Sequence, residues 1–132
     1  MVPMAPSRPA TILIIDDDPG IVTALVALLQ RQGYMVMTAG NGALAWEHLR
    51  TQRYAVILCD LLMPEIDGQA FYTLLQQHYP CLASRVIFLT GDMLGDTTTT
   101  FLHACGQPWL FKPCRSEEVV HAIAQMLCAT EA

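Results

Sequence analysis

Charge is scarce in this chain: charged residues make up 14% of its 132 positions, and lysine occurs once, as Lys112. Seven basic residues face twelve acidic ones, for a formal net charge of -5, and no basic cluster or stripe overrides it. That balance argues against direct nucleic-acid binding, because a phosphate backbone repels an acidic surface. The five cysteines, Cys59, Cys81, Cys105, Cys114 and Cys128, contain no C-x-x-C pair, and an odd count cannot all pair within one chain. A reducing, cytoplasmic setting is therefore expected. No apolar run approaches the roughly 18 residues of a membrane-spanning helix, so no membrane insertion is expected. The opening MVPMAPSRP is broken by Pro3, Pro6 and Pro9 and lacks the uninterrupted apolar segment of a signal peptide; residues 1–9 read as a flexible tail.

What the chain has in quantity is apolar surface. Hydrophobic residues make up 53% of it, enough for one substantial core at this length, with greasy surface left over for a partner. The expectation is one domain over residues 10–130, a monomer or weak dimer. Apolar runs suited to buried strands recur at 11–15, 55–59 and 85–89, with weaker candidates at 34–38 and 108–111. Between them lie helical segments at about 19–32, 42–52, 67–78, 95–105 and 116–129, an alternation that predicts a parallel sheet covered on both faces. Asp18 and Pro19 form a helix start and Gly33 a helix end, and Ser116 with Glu117 and Glu118 is read as a second start. The fourth helix is expected to be short or mobile, because Thr97 to Thr100 are four β-branched residues in succession.

In such a sheet the residues at the carboxyl ends of the strands converge on one edge, where ligands bind. Asp16, Asp17 and Asp18 follow the first strand, Asp60 the third, Thr90 the fourth and Lys112 the fifth. Carboxylates gathered from separate strands need a cation or a proton to coexist, and oxygen ligands without histidine suit Mg²⁺. Each residue alone also admits a plainer role. Asp16 to Asp18 form a solvated turn with a helix cap, Thr90 an ordinary strand end, and Lys112 a side chain snorkelling from an apolar setting.

Taken in order, IIDDD, LCDLLMPEIDG, FLTGD and LFKP resemble the signature of response-regulator receiver domains of two-component signalling, over residues 10 to 129. The resemblance implies an α/β, single-domain, five-stranded doubly wound (βα)5 sheet of flavodoxin-like type. It implies Asp60 as phosphoacceptor, with Asp17, Asp60 and the main-chain carbonyl of Leu62 as Mg²⁺ ligands and Asp16 assisting through water. Thr90 and Lys112 would contact the phosphoryl oxygens. Gly68 resembles the glycine of the family's turn, chosen for close packing or an unusual backbone angle, and Pro113 the proline that follows a cis peptide bond. Thr90 and an aromatic three residues before the lysine would form a two-state switch. That aromatic is Trp109 here, where tyrosine or phenylalanine is more familiar, and the larger indole could cost about 1–3 kcal/mol in overpacking. Trp109 is thus either the switching ring or a strand residue packed permanently on the fourth helix. Leu62 and Asp92 stand where side chains flank the path of attacking water, so phosphoryl lifetime should depend on both.

The first helix reads as a core face of Ile21, Ala24, Leu25 and Leu28, with Val22 and Val26 off that face. Ile21, Val22, Val26 and Pro113 are the expected docking residues for a histidine kinase or histidine phosphotransfer protein. Output through a downstream protein target is expected, with no attached output domain, and not enzymatic turnover. Three other readings compete: the receiver segment of a hybrid sensor histidine kinase, an aspartyl-nucleophile phosphohydrolase, and a flavin-binding module. The phosphohydrolase reading meets Leu62 where a second acid is usual. In the flavin reading three aspartates would repel the cofactor's phosphate.

Overall fold

The structure is a computed structural model and describes residues 9–62, 67–91 and 96–131. Five strands alternate with helices in the order β1 (Thr11–Ile15), α1 (Pro19–Arg31), β2 (Met35–Ala39), α2 (Gly42–Thr51), β3 (Val56–Asp60), α3 (Gly68–His78), α4 (Pro80–Ala83), β4 (Val86–Thr90), α5 (Asp96–Cys105), β5 (Trp109–Phe111) and α6 (Ser116–Glu131). All strand pairings are parallel, in the spatial order β2-β1-β3-β4-β5. The order reverses between β1 and β3, and a crevice opens at such a reversal, beyond the strands' carboxyl ends.

Side chains alternate across the sheet, so each strand serves two cores. Leu13, Ile15, Ile57, Cys59, Val86 and Phe88 face α2, α3 and α5, packing with Leu49, Phe71, Leu75 and Leu102. Ile12, Ile14, Val56, Leu58, Ile87 and Leu89 face the opposite way, onto Leu25, Leu28 and Leu29 of α1 and Val119, Ile123 and Met126 of α6. The near-continuous apolar runs of the central strands follow from this burial on both sides.

Helix ends form as the residues dictate. The Asp18 carboxylate accepts the N–H groups of Gly20 and Ile21 with Pro19 in the first turn, and Gly33 takes φ +93° beyond the last turn of α1. α6 starts at Ser116 with Glu117 and Glu118 in its first turn, as expected, and the cap bond comes from Glu118, which reaches back to accept the Arg115 N–H at 3.0 Å, one half of a capping box. The fourth βα helix, α5, is ten residues long, equal to α2, and so is not short. Its threonine run is offset by packing, with Phe101 edge-on to Tyr72 and Phe88 at 5.8 and 5.4 Å and Leu102 buried. The four-residue α4 was not expected, since a single turn carries no periodicity.

The core face of α1 also differs. Leu25, Leu28 and Leu29 are the buried residues, Ala24 is exposed, and Val22 and Val26 are half-buried against the core. Leu29 follows Leu25 by four, so the apolar stripe is rotated toward Val22, Val26 and Leu29 and away from Ala24.

Candidate functional site

Register and ladder hydrogen bonds bring the polar residues together. Ile15 pairs with Cys59, which sets Asp16 and Asp60 side by side at the strand ends. The ladder continues past the apolar runs: Asp16 N–H donates to the Ala39 carbonyl at 3.1 Å, Leu61 N–H to Leu89 at 3.0 Å and Lys112 N–H to Thr90 at 2.8 Å. Asp60 and Thr90 are consequently the last residues of β3 and β4, one position further inside than the sequence implied, and both are buried. Such main-chain contacts leave no side-chain pattern by which a sequence could announce them.

The Lys112 ammonium lies 2.8 Å from Asp16 Oδ2 and 3.2 Å from Asp60 Oδ2. Apart from that ammonium, Asp16 Oδ2 has no donor among the described residues, although it is buried. Asp16 Oδ1 accepts the Asp18 N–H at 2.9 Å, and Asp60 Oδ1 accepts the Leu62 N–H at 3.2 Å. Asp17 is exposed beside them, and Asp16, Asp17 and Asp60 each offer an oxygen within 4.8 Å of the others.

Burial pushes the Asp60 carboxyl above its usual range and the Asp16 charge adds to this, while Lys112 and the Leu62 N–H oppose. For Lys112, burial works against the ammonium, but the hydrogen bond to Asp16 and the Asp60 and Asp16 charges outweigh it and raise the pKa. The Cys59 thiol is pushed far up by burial and by the Asp60 charge, and its Sγ–H donates to the Asp60 carbonyl at 3.4 Å, so it is an inert core residue.

Three carboxylates against one ammonium leave two negative charges unbalanced. The donors are all hard oxygens, and one buried oxygen has a lysine as its sole partner among the described residues. A divalent, oxygen-seeking cation of the Mg²⁺ class fits this set.

Gly68 supports the site from below. A Cβ there would stand 2.6 Å from the Asp60 carbonyl oxygen and 2.8 Å from Leu61 Cα, so close approach of backbones, not an unusual dihedral, requires the glycine. The Lys112–Pro113 peptide is cis, as the resemblance implied. Leu62 is 71% exposed near Asp60, whereas Asp92 lies outside the described residues. Trp109 pairs with Phe88, is half-buried and meets His103 of α5 edge-on at 5.6 Å, so in this structure the indole packs on the fourth βα helix. Ile21 and Pro113 line a groove of about 620 Å³ with Ala24, Leu89, Lys112 and Cys114. Val22 and Val26, expected on the docking face, do not line it.

Residues 12–124 match the family model described as "Response regulator receiver domain". The chain belongs to this family. The receiver domain is 29% identical over 128 residues to response regulator Rre1 of Synechocystis, covering 96% of this chain and 55% of that protein. It is 31% identical over 120 residues to the transcriptional regulatory protein SrrA of Staphylococcus aureus, covering 91% of this chain and 48% of that protein. The chain thus spans about half the length of these curated relatives. Among solved structures it is similar to the signal receiver domain of a histidine kinase from Syntrophus aciditrophicus. That match has a TM-score of 0.81 and 29% identity and covers 91% of both chains. The five-stranded parallel sheet is that of CheY-like receivers, and the domain is part of two-component signalling. No described helix of the receiver is long and apolar enough to cross a membrane, and all five cysteines are free thiols.

Proposed function

We propose that this receiver takes a phosphoryl group from a phosphohistidine donor onto Asp60 in the cytoplasm, and that the modified domain changes its binding to a downstream protein. The observation that carries the reading is the Lys112 ammonium held between Asp16 and Asp60 at 2.8 and 3.2 Å beside a third carboxylate. An Asp60 carboxylate oxygen attacks phosphorus in line, the phosphorus–nitrogen bond to the donor imidazole breaks, and its electron pair leaves with that imidazole, which is then protonated. Lys112 stabilises charge on the equatorial oxygens, and the Thr90 hydroxyl donates to one of them. Asp17, Asp60 and the Leu62 main-chain carbonyl would hold Mg²⁺ directly and Asp16 through water. Bound there, the ion neutralises charge on the transferring group.

The groove that contains Ile21 and Pro113 opens beside Lys112 and is mostly apolar, which suits docking of a helical histidine phosphotransfer surface. Hydrolysis of the resulting acyl phosphate by water, under the influence of Leu62 and Asp92, would reset the domain without turnover of an external substrate. Phosphoryl transfer from a panel of histidine kinases and phosphotransfer proteins tests the reading. Wild type should gain label only with Mg²⁺ and Asp60→Asn should gain none. Label on Asp60→Asn, or transfer indifferent to Mg²⁺, would overturn it. A second reading, the receiver segment of a hybrid sensor histidine kinase, is favoured by the likeness to the receiver of a histidine kinase from Syntrophus aciditrophicus. The chemistry at Asp60 is the same in both.

A further inference from the structure

At the end of the sheet opposite the acidic site, the chain at the starts of β1, β3 and β4, the last turn of α2, and Tyr79 with the short α4 surround an open concavity of about 1140 Å³. Arg50, Arg53 and Arg85 line it. They are three of the chain's seven basic residues, and no lining residue is acidic, in a chain of formal charge -5. Their surroundings leave donors free. Arg53 is exposed and has no partner among the described residues. Among the described residues Arg50 meets only Glu47, in an exposed pair at 3.4 Å of little worth. Arg85 is half-buried and held in place by one N–H to the Ala55 carbonyl at 3.4 Å, with its other donors uncommitted among the described residues.

Offsetting helix dipoles accounts for part of this charge. The end of α2, whose last turn lines the concavity, brings roughly half a negative charge, which balances about half of one guanidinium of the three. A second observation is independent of charge. Tyr54 lines the same concavity and is 3% exposed, and its hydroxyl has no hydrogen-bond partner among the described residues. A buried hydroxyl is seldom left unpaired unless a water or ligand serves it.

We propose that this concavity binds a small organic anion. Its phosphate or carboxylate is taken by Arg53 and Arg85, and its apolar or aromatic body lies on Tyr54, Tyr79, Pro80 and Leu82. This site is separate from Asp60 and does not depend on phosphorylation there.

The test is an NMR titration of the whole chain, stripped of metal on a chelating resin, with phenyl phosphate. Inorganic phosphate and phenol serve as the two half-ligands. Phenyl phosphate should produce saturable shifts at the amides of Tyr54, Ala55 and Arg85, and should bind more tightly than either half. Arg53→Gln, at an exposed side chain without a partner among the described residues, should weaken it about tenfold, as expected for loss of one charge-assisted contact. Tyr54→Phe should weaken it by a smaller factor. Absence of saturable shifts at those amides, equal affinity for inorganic phosphate, or unchanged affinity in Arg53→Gln would overturn the proposal.

Discussion

Replacing Asp60 by asparagine should stabilise the metal-free protein at neutral pH. Asp60, Asp16 and Asp17 present oxygens within 4.8 Å of one another. At an effective dielectric constant of about 20, each carboxylate pair at that separation repels by roughly 3.5 kcal/mol. Asp60 takes part in two such pairs, about 7 kcal/mol in all. It recovers about 5 kcal/mol from the Lys112 ammonium at 3.2 Å. The exposed Asp17 is screened by solvent, so a net penalty of roughly 1–2 kcal/mol remains, to which burial of the charge adds. The asparagine would keep an oxygen for the Leu62 N–H, and Lys112 would keep Asp16 at 2.8 Å, so no charge is orphaned. Thermal unfolding without metal should therefore give a Tm several degrees higher for Asp60→Asn. The pH dependence has a definite sign. Because the folded-state pKa of Asp60 is raised, wild type has this stability in full at low pH and loses it as pH rises through that pKa. The advantage of the variant should accordingly fade on acidification, and Mg²⁺ should raise the Tm of wild type more than that of the variant. A lower Tm for Asp60→Asn at neutral pH, or an advantage independent of pH, would refute the electrostatic argument.

Three further outcomes follow from the same geometry. Gly68→Ala sets a Cβ 2.6 Å from the Asp60 carbonyl oxygen, against backbone that cannot yield locally. It should cost about 1–3 kcal/mol in urea unfolding and slow labelling of Asp60 by acetyl phosphate. Ala24→Arg, at an exposed residue of the groove beside Lys112, should slow transfer from a histidine donor at least tenfold and leave acetyl phosphate labelling intact; equal losses in both assays would point to misfolding. Leu62→Asn replaces an exposed apolar side chain whose N–H touches Asp60 by one that can orient water, so loss of the acyl phosphate should quicken in a dephosphorylation time course.

The sequence made the alternation of elements and the acidic edge legible, because buried parallel strands read as apolar runs and the site residues stand directly beyond them. The last rung of each strand was hidden. Asp60 and Thr90 belong to β3 and β4 because main-chain bonds such as Lys112 N–H to Thr90 extend the ladder past the last apolar residue. On α1 the choice between Ala24 and Leu29 decides which face is buried, and the Leu25–Leu29 spacing is the signal in the sequence that marks it. The threonine run in α5 suggested weakness that the Tyr72–Phe88–Phe101 cluster overrides, an instance of packing prevailing over propensity. The arginines at the far end of the sheet are 35 residues apart at their widest, Arg50 to Arg85, and only the fold brings them to one concavity.

The most direct test of the central claim is the intact mass of the protein after incubation with acetyl phosphate and Mg²⁺. Wild type should gain one phosphoryl group, a gain lost on chelation of the metal before labelling and absent from Asp60→Asn. An unchanged wild-type mass, or an equal gain on the asparagine variant, would contradict it.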